Sequence, residues 1–267
     1  MPTFEEFAVE AREEYKDVFE AGLAIPDLAN AIFSRRVAEP IQKVIRALAM
    51  IVVNDFGALL VLAMNGYGIA AAKIARTMFE ASVNIAYLRL HPEEVDNFID
   101  YHDLSVKQFY DHLLKFAPEE AKTLPPDKVE ETLKRYEQIK DRFPNKLSWT
   151  PKGLPERSEE VKSLALYRLL YPTLSGFIHS DIRAIVIQND AATMDIEVAP
   201  SKKWVREALV LGHNSLVRAV ADYSEVAAAD ADKHVLLVHE GFKKAWGIAS
   251  IAQSAIEAIQ VPLGVPE

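Results

Sequence analysis

Arg76, Glu80 and Asn84 stand four residues apart in GIAAAKIARTMFEASVNIAYLRL, and Tyr171, Ser175 and His179 repeat that spacing in LYRLLYPTLSGFIHSD. Side chains four apart share one face of a helix, so each set forms a polar ladder on an otherwise apolar segment. A charge on such a helix is expected in a buried setting, where it is tolerated only when paired and hydrogen-bonded. Glu80 is placed to hold the Arg76 guanidinium, whose forked donors suit an anionic or carbonyl group. The same two residues also read as a plain intrahelical ion pair, which adds at most about 0.5 kcal/mol when exposed. His179 has the chemistry of a general acid-base near neutral pH, with Tyr171, Ser175, Ser180 or Asp181 to orient it. It reads equally well as a core histidine satisfied by Ser175.

Other chemistries find less support. The chain has no cysteine, which excludes disulfides, thiolate nucleophiles and cysteine-metal sites and accords with a reducing cytoplasm. IDYHDLSVKQFYDH holds Asp100, His102, Asp103, Asp111 and His112, but no Glu-x-x-His or His-Glu-x-x-His pattern accompanies them, so no metal site is expected. SGFIHSD lacks the Gly-x-Ser-x-Gly turn of a hydrolase elbow. With no glycine-rich phosphate loop and no dinucleotide fingerprint, no cofactor is expected. A net charge of −9 argues against broad adhesion to nucleic acid or anionic lipid.

The elements that must position the ladders read as helices, and the expected class is an all-α helical bundle with long antiparallel helices. A content of 50% hydrophobic and 26% charged residues is that of a globular chain, and no repeat or low-complexity linker divides residues 1–267, so one domain is expected. Thr3 with Glu6 makes a capping box for a first helix carrying Phe4, Phe7, Ala11, Tyr15 and Val18 on one face. Pro40 suits the first turn of a long apolar helix ending at Gly66, and the Arg76 helix runs to about Leu90. The run from Ala47 to Ala72, with Asp55 its only charge, is long enough to span a bilayer, but Asn54-Asp55 and Asn65-Gly66-Tyr67-Gly68 break it, so a buried bundle helix is expected instead. Residues 118–146 balance acids and bases and suggest a charged helical arm projecting into solvent. Ser158 is expected to cap a helix through Leu170, which Pro172 then kinks or restarts, and a restart there would take Tyr171 off the face that Ser175 and His179 share. IRAIVIQNDAATMDIEV suggests a small β-hairpin, Ser201 a cap for a helix with Val205, Leu209, Leu216, Val220 and Tyr223 inward, and Asp232 the start of a last helix. The packed centre is expected from Pro40 to Met64, Ile69 to Leu90 and Leu164 to His179.

The order GYGIAAAKIARTMFEASVNIAYL, HPEEVDNFIDY and YRLLYPTLSGFIHSD resembles a bacterial family of helical proteins, domain of unknown function 5677. The resemblance covers about residues 40–185 and rests on the turn at Gly66, Arg76 with Glu80, and the Tyr171-Ser175-His179 run. It implies an all-helical cytoplasmic protein and supplies no established activity. A weaker likeness is to the HEPN nucleotide-binding and ribonuclease superfamily. Arg168 stands further before His179 than the arginine-histidine spacing of that superfamily, so Arg76 would have to supply the guanidinium from another helix.

Two function classes follow. One is a binding or sensory module in which Arg76, Glu80 and His179, with Asn84, Tyr171 and Ser175, line a polar pocket for a small anionic ligand or nucleotide. The other is a HEPN-like ribonuclease, a toxin or phage-defence effector, in which His179 acts on a ribose hydroxyl. The acidic charge favours the first over RNA as a partner. An interaction scaffold, with the ladders fixing helix register, is a third reading, and a homo-oligomer stays open.

Overall fold

A computed structural model of the chain describes residues 3–34, 36–143, 148–179, 200–227 and 240. The hairpin expected around 182–198, the last helix from Asp232, Ser180, Asp181, His234 and His239 lie outside the described residues. Among the described residues the fold is all-α, without strands.

The chain opens with three short helices, α1 (Phe4–Glu14), α2 (Lys16–Gly22) and α3 (Ile25–Phe33). The expected capping box is present, with the Glu6 amide donating to Thr3 Oγ1 and the Thr3 amide donating to Glu6 Oε2. The single first helix expected through Val18 breaks at Tyr15, though Phe7, Ala11 and Val18 are all buried.

Two long helices follow, α4 (Pro40–Met64) and α5 (Gly68–Leu90), with Pro40 in the first turn of α4 as read. Gly66 separates them at φ +76°, a conformation that costs glycine little and other residues much. On α5 the run Ala71, Ala72, Ala75 is fully buried, and these small side chains let neighbouring helices approach closely. Both helices pack on α11 (Val205–Ala227), which buries Val205, Leu209, Leu216, Val220 and Tyr223 as its spacing predicts.

This corrects the expected centre. The third core helix is α11, whereas α10 (Leu164–His179) lies at the edge of α5, burying Leu170, Leu174 and Phe177 and leaving Leu169 and Ile178 exposed. Ser201 does not cap α11. Its amide donates to the Gly66 carbonyl at 3.0 Å, and Trp204, at φ +67°, turns the chain into the helix. Ser158 does not cap α10 either, but is buried within α9 (Leu154–Glu160), which Pro155 starts and Lys162, at φ +58°, separates from α10.

One face of α4 is buried against α5 and α11, while Met50, Ile51 and Val61 on another are exposed. Among the described residues α4 is the one helix long and apolar enough to cross a membrane.

The charged segment is more closely held than its composition suggests. It forms α7 (Pro118–Ala121), α8 (Pro126–Ile139) and a 3₁₀ turn, and α8 packs along α6 (Val95–Phe116) around Leu104, Ile139 and Phe143. Val129, Leu133, Tyr136 and Ile139 recur at helical spacing and supply that inner stripe. The outer side carries exposed pairs such as Lys128 with Glu131 and Lys140 with Glu137.

Candidate functional site

The buried side of α10 lies on α5, and this sets Tyr171 and Ser175, one helical turn apart, against the Arg76 ladder. The helix does not restart at Pro172, so Tyr171 stays on the Ser175 face. Pro172 is exposed, α10 continues through it, and both Tyr171 and Ser175 reach the same guanidinium.

Arg76 Nε donates to Ser175 Oγ at 3.2 Å, and Nη2 donates to the Tyr171 hydroxyl at 2.5 Å while pairing with Glu80 Oε1 at 2.8 Å. The Tyr171 hydroxyl donates to the same Glu80 oxygen at 2.7 Å, so the three groups close a triangle. The guanidinium carbon also lies 4.6 Å from the Tyr171 ring centroid, and Tyr167 stacks on that ring at 4.9 Å. Burial, with the Glu80 carboxylate behind it, raises the Tyr171 hydroxyl above its ordinary range, which keeps it a donor. The Arg76 side chain is 15% exposed and that of Glu80 34%, so the pair is partly screened and is not a desolvated core ion pair. Among the described residues, no hydrogen bond is made by Arg76 Nη1.

One turn further along α5, the Asn84 side-chain oxygen accepts from Nη1 of Arg157. Arg157 is only 9% exposed, and its guanidinium lies 5.2 Å from the Trp149 ring centroid. Burial lowers its basicity, opposed by the negative charges of Glu80 and Glu156. Two guanidinium groups therefore stand along the ladder with two carboxylates, Glu80 between them and the exposed Glu156 beside Arg157. Sequence reading did not single out Arg157. The signal was faint: a half-buried asparagine oxygen on α5 favours a donor, and Trp149 eight residues before Arg157 offers a guanidinium a flat surface.

His179 ends α10, one turn beyond Ser175, and is exposed. The structure does not bond it to Arg76 or, among the described residues, to any other group. Those same residues hold no cluster of three histidine, aspartate or glutamate side chains able to bind a metal.

Replacing Tyr171 with phenylalanine removes the hydroxyl that both accepts from Arg76 and donates to Glu80. The expected loss is about 1–2 kcal/mol of stability by urea denaturation, because the change leaves two charged partners each short of a bond. A change under about 0.3 kcal/mol would show that water replaces the hydroxyl without cost.

Residues 42–192, more than half of the chain, match the model of a family described as "Family of unknown function (DUF5677)", so the chain belongs to that family. No curated protein and no solved structure gives a significant match.

Proposed function

We propose that this DUF5677 member is a binding or sensory module for a small anionic ligand, a nucleotide or a phosphate-bearing metabolite, received where α5, α9 and α10 meet. The observation that carries this reading is the state of Arg76. Its guanidinium is oriented from three sides by Glu80, Tyr171 and Ser175, and Nη1 makes no bond among the described residues. A guanidinium fixed in advance loses less freedom when an oxyanion docks in its fork. Arg157, held on α9 against Asn84 of α5, adds a second guanidinium beside the same ladder. Ser175 offers a hydroxyl beside the fork, and exposed His179 can reach the outer edge of a ligand. The lack of cysteine supports a cytoplasmic setting.

The test is calorimetric titration of the purified chain with inorganic phosphate, ADP and a structured RNA, repeated with Arg76→Lys and His179→Ala. Saturable binding of phosphate or ADP without turnover is expected, weakened about tenfold by Arg76→Lys because lysine cannot reproduce the fork, and weakened less by His179→Ala. RNA cleavage by the unaltered chain that disappears in His179→Ala would overturn the reading in favour of a ribonuclease.

A further inference from the structure

The open side of α4 carries a regular stripe. Ala47, Ile51, Asn54, Ala58 and Val61 are all exposed and stand at alternating steps of four and three. That is the period of a seam on which another helix lies, and a single polar residue such as Asn54 within a seam sets its register. Ile51 is 52% and Val61 56% exposed, and Met50 beside them is exposed as well. A continuous apolar stripe of this kind on a globular chain marks a surface that something covers.

The path of the chain identifies the occupant. α11 starts where α4 ends, with the Ser201 amide on the Gly66 carbonyl, and finishes where α4 starts, with the Gln42 side-chain amide donating to the Val226 carbonyl at 3.3 Å. The two helices are therefore antiparallel, and residues 228–267 leave from the N-terminal end of α4. Residues 228–231 reach about 13 Å when extended, enough to step across one helix, since packed helices stand about 8–10 Å apart. Asp232 follows, a residue suited to cap a helix. From Val235 to Ile259 every position reached by alternating steps of three and four is apolar, Phe242, Ile256 and Ile259 being the bulkiest, which is the period of the α4 stripe. Glu240 is two residues from both Val238 and Phe242, so it falls on the far side of such a helix from the seam. It is helical and exposed, as that place requires. A helix from Val235 to Ile259 would be about 36 Å long and the α4 stripe is about 21 Å, so the one suffices to cover the other.

We infer that residues 232–259 form a helix that docks, parallel to α4, on the stripe from Ala47 to Val61. A segment tethered this closely has an effective concentration on the order of millimolar, which places it ahead of a second copy of the chain. A bilayer fits poorly, because the opposite side of α4 is packed on α5 and α11.

The chain has no cysteine, so introduced pairs report without interference. Full-length chains carrying Ile51→Cys with Ala245→Cys, or Val61→Cys with Ala252→Cys, are treated with a short bismaleimide cross-linker and read by denaturing gel and mass spectrometry. Ile51→Cys with Ile259→Cys is the distant control. Linking within one chain is expected for the first two pairs, at least about tenfold faster than for the control. Ile51 and Val61 are exposed, so these substitutions leave the core intact, and circular dichroism checks that the fold is kept. Phe242→Asp places a charge in the seam and is expected to slow linking of the Ile51 and Ala245 pair about tenfold or more. The inference is overturned if either near pair links no faster than the control, or if Phe242→Asp leaves the rate unchanged. It is also overturned if Ile51→Cys alone yields a covalent dimer as fast as the near pairs link, which would identify a second copy as the occupant. Sedimentation of the unaltered chain with phosphatidylcholine vesicles would overturn it in favour of a bilayer.

Discussion

Gly68→Ala is expected to destabilise the chain by about 3 kcal/mol, lowering its melting temperature by roughly 10 °C. Gly68 begins α5 where the chain enters α11, and a Cβ built there would lie 2.0 Å from the Lys203 carbonyl oxygen and 2.6 Å from the Val205 nitrogen. Both are backbone atoms, so no side-chain rotation relieves the overlap, and α5 and α11 would have to separate along the most extensive helix pairing among the described residues. Gly57, in the middle of α4, provides the contrast. A Cβ there meets nothing within 4 Å, and alanine is expected to stabilise the helix by about 0.5–1 kcal/mol. Circular dichroism melts of the two variants check this, and equal melting temperatures would refute the close approach.

Arg89→Met is expected to cost about 2–3 kcal/mol, the lower end for breaking a buried pair because Arg89 itself is partly exposed. Arg89 supplies the 2.8 Å bond to Asp222 Oδ1, and without it a buried carboxylate whose Oδ2 makes no hydrogen bond among the described residues keeps, among those residues, Arg218 Nε at 3.7 Å. The other partner of Arg89, Glu225, is well exposed, so Glu225→Gln is expected to change stability by no more than about 0.5 kcal/mol. Adding Asp222→Asn to Arg89→Met removes the orphaned charge and should restore at least about 1 kcal/mol in urea denaturation. Strict additivity of the two changes would show that the groups do not depend on one another.

What could be read from the sequence was whatever depends on local periodicity. The helices α4 and α5, the turn at Gly66 and the inward set of α11 all follow from spacing within one element. Both polar ladders were visible for the same reason, and four of their members, Arg76, Glu80, Tyr171 and Ser175, do meet. The meeting itself was not legible, because it depends on how α10 crosses α5, 95 residues away along the chain. The rank of α10 was misjudged, since an edge helix with Leu169 and Ile178 exposed has the same composition as a central one. Ser158 and Ser201 misled for a related reason: a residue able to cap a helix also serves inside one or in a turn, and Pro155 and Trp204 determine which. Arg157 and Arg89 carry no local signature, since their partners lie on other helices, whereas Arg218 and Asp222 stand four apart on α11 at a spacing that the reading passed over.

The anion-binding account stands on Arg76, and the nitrogen-15 resonances of arginine Nε–H groups report on that side chain directly. The signals of Arg76 and Arg157 can be identified by their loss in Arg76→Lys and Arg157→Lys. On titration with inorganic phosphate and with ADP, the account predicts that both signals move saturably, with the midpoint found by calorimetry. Binding of either anion while both signals stay in place would contradict it.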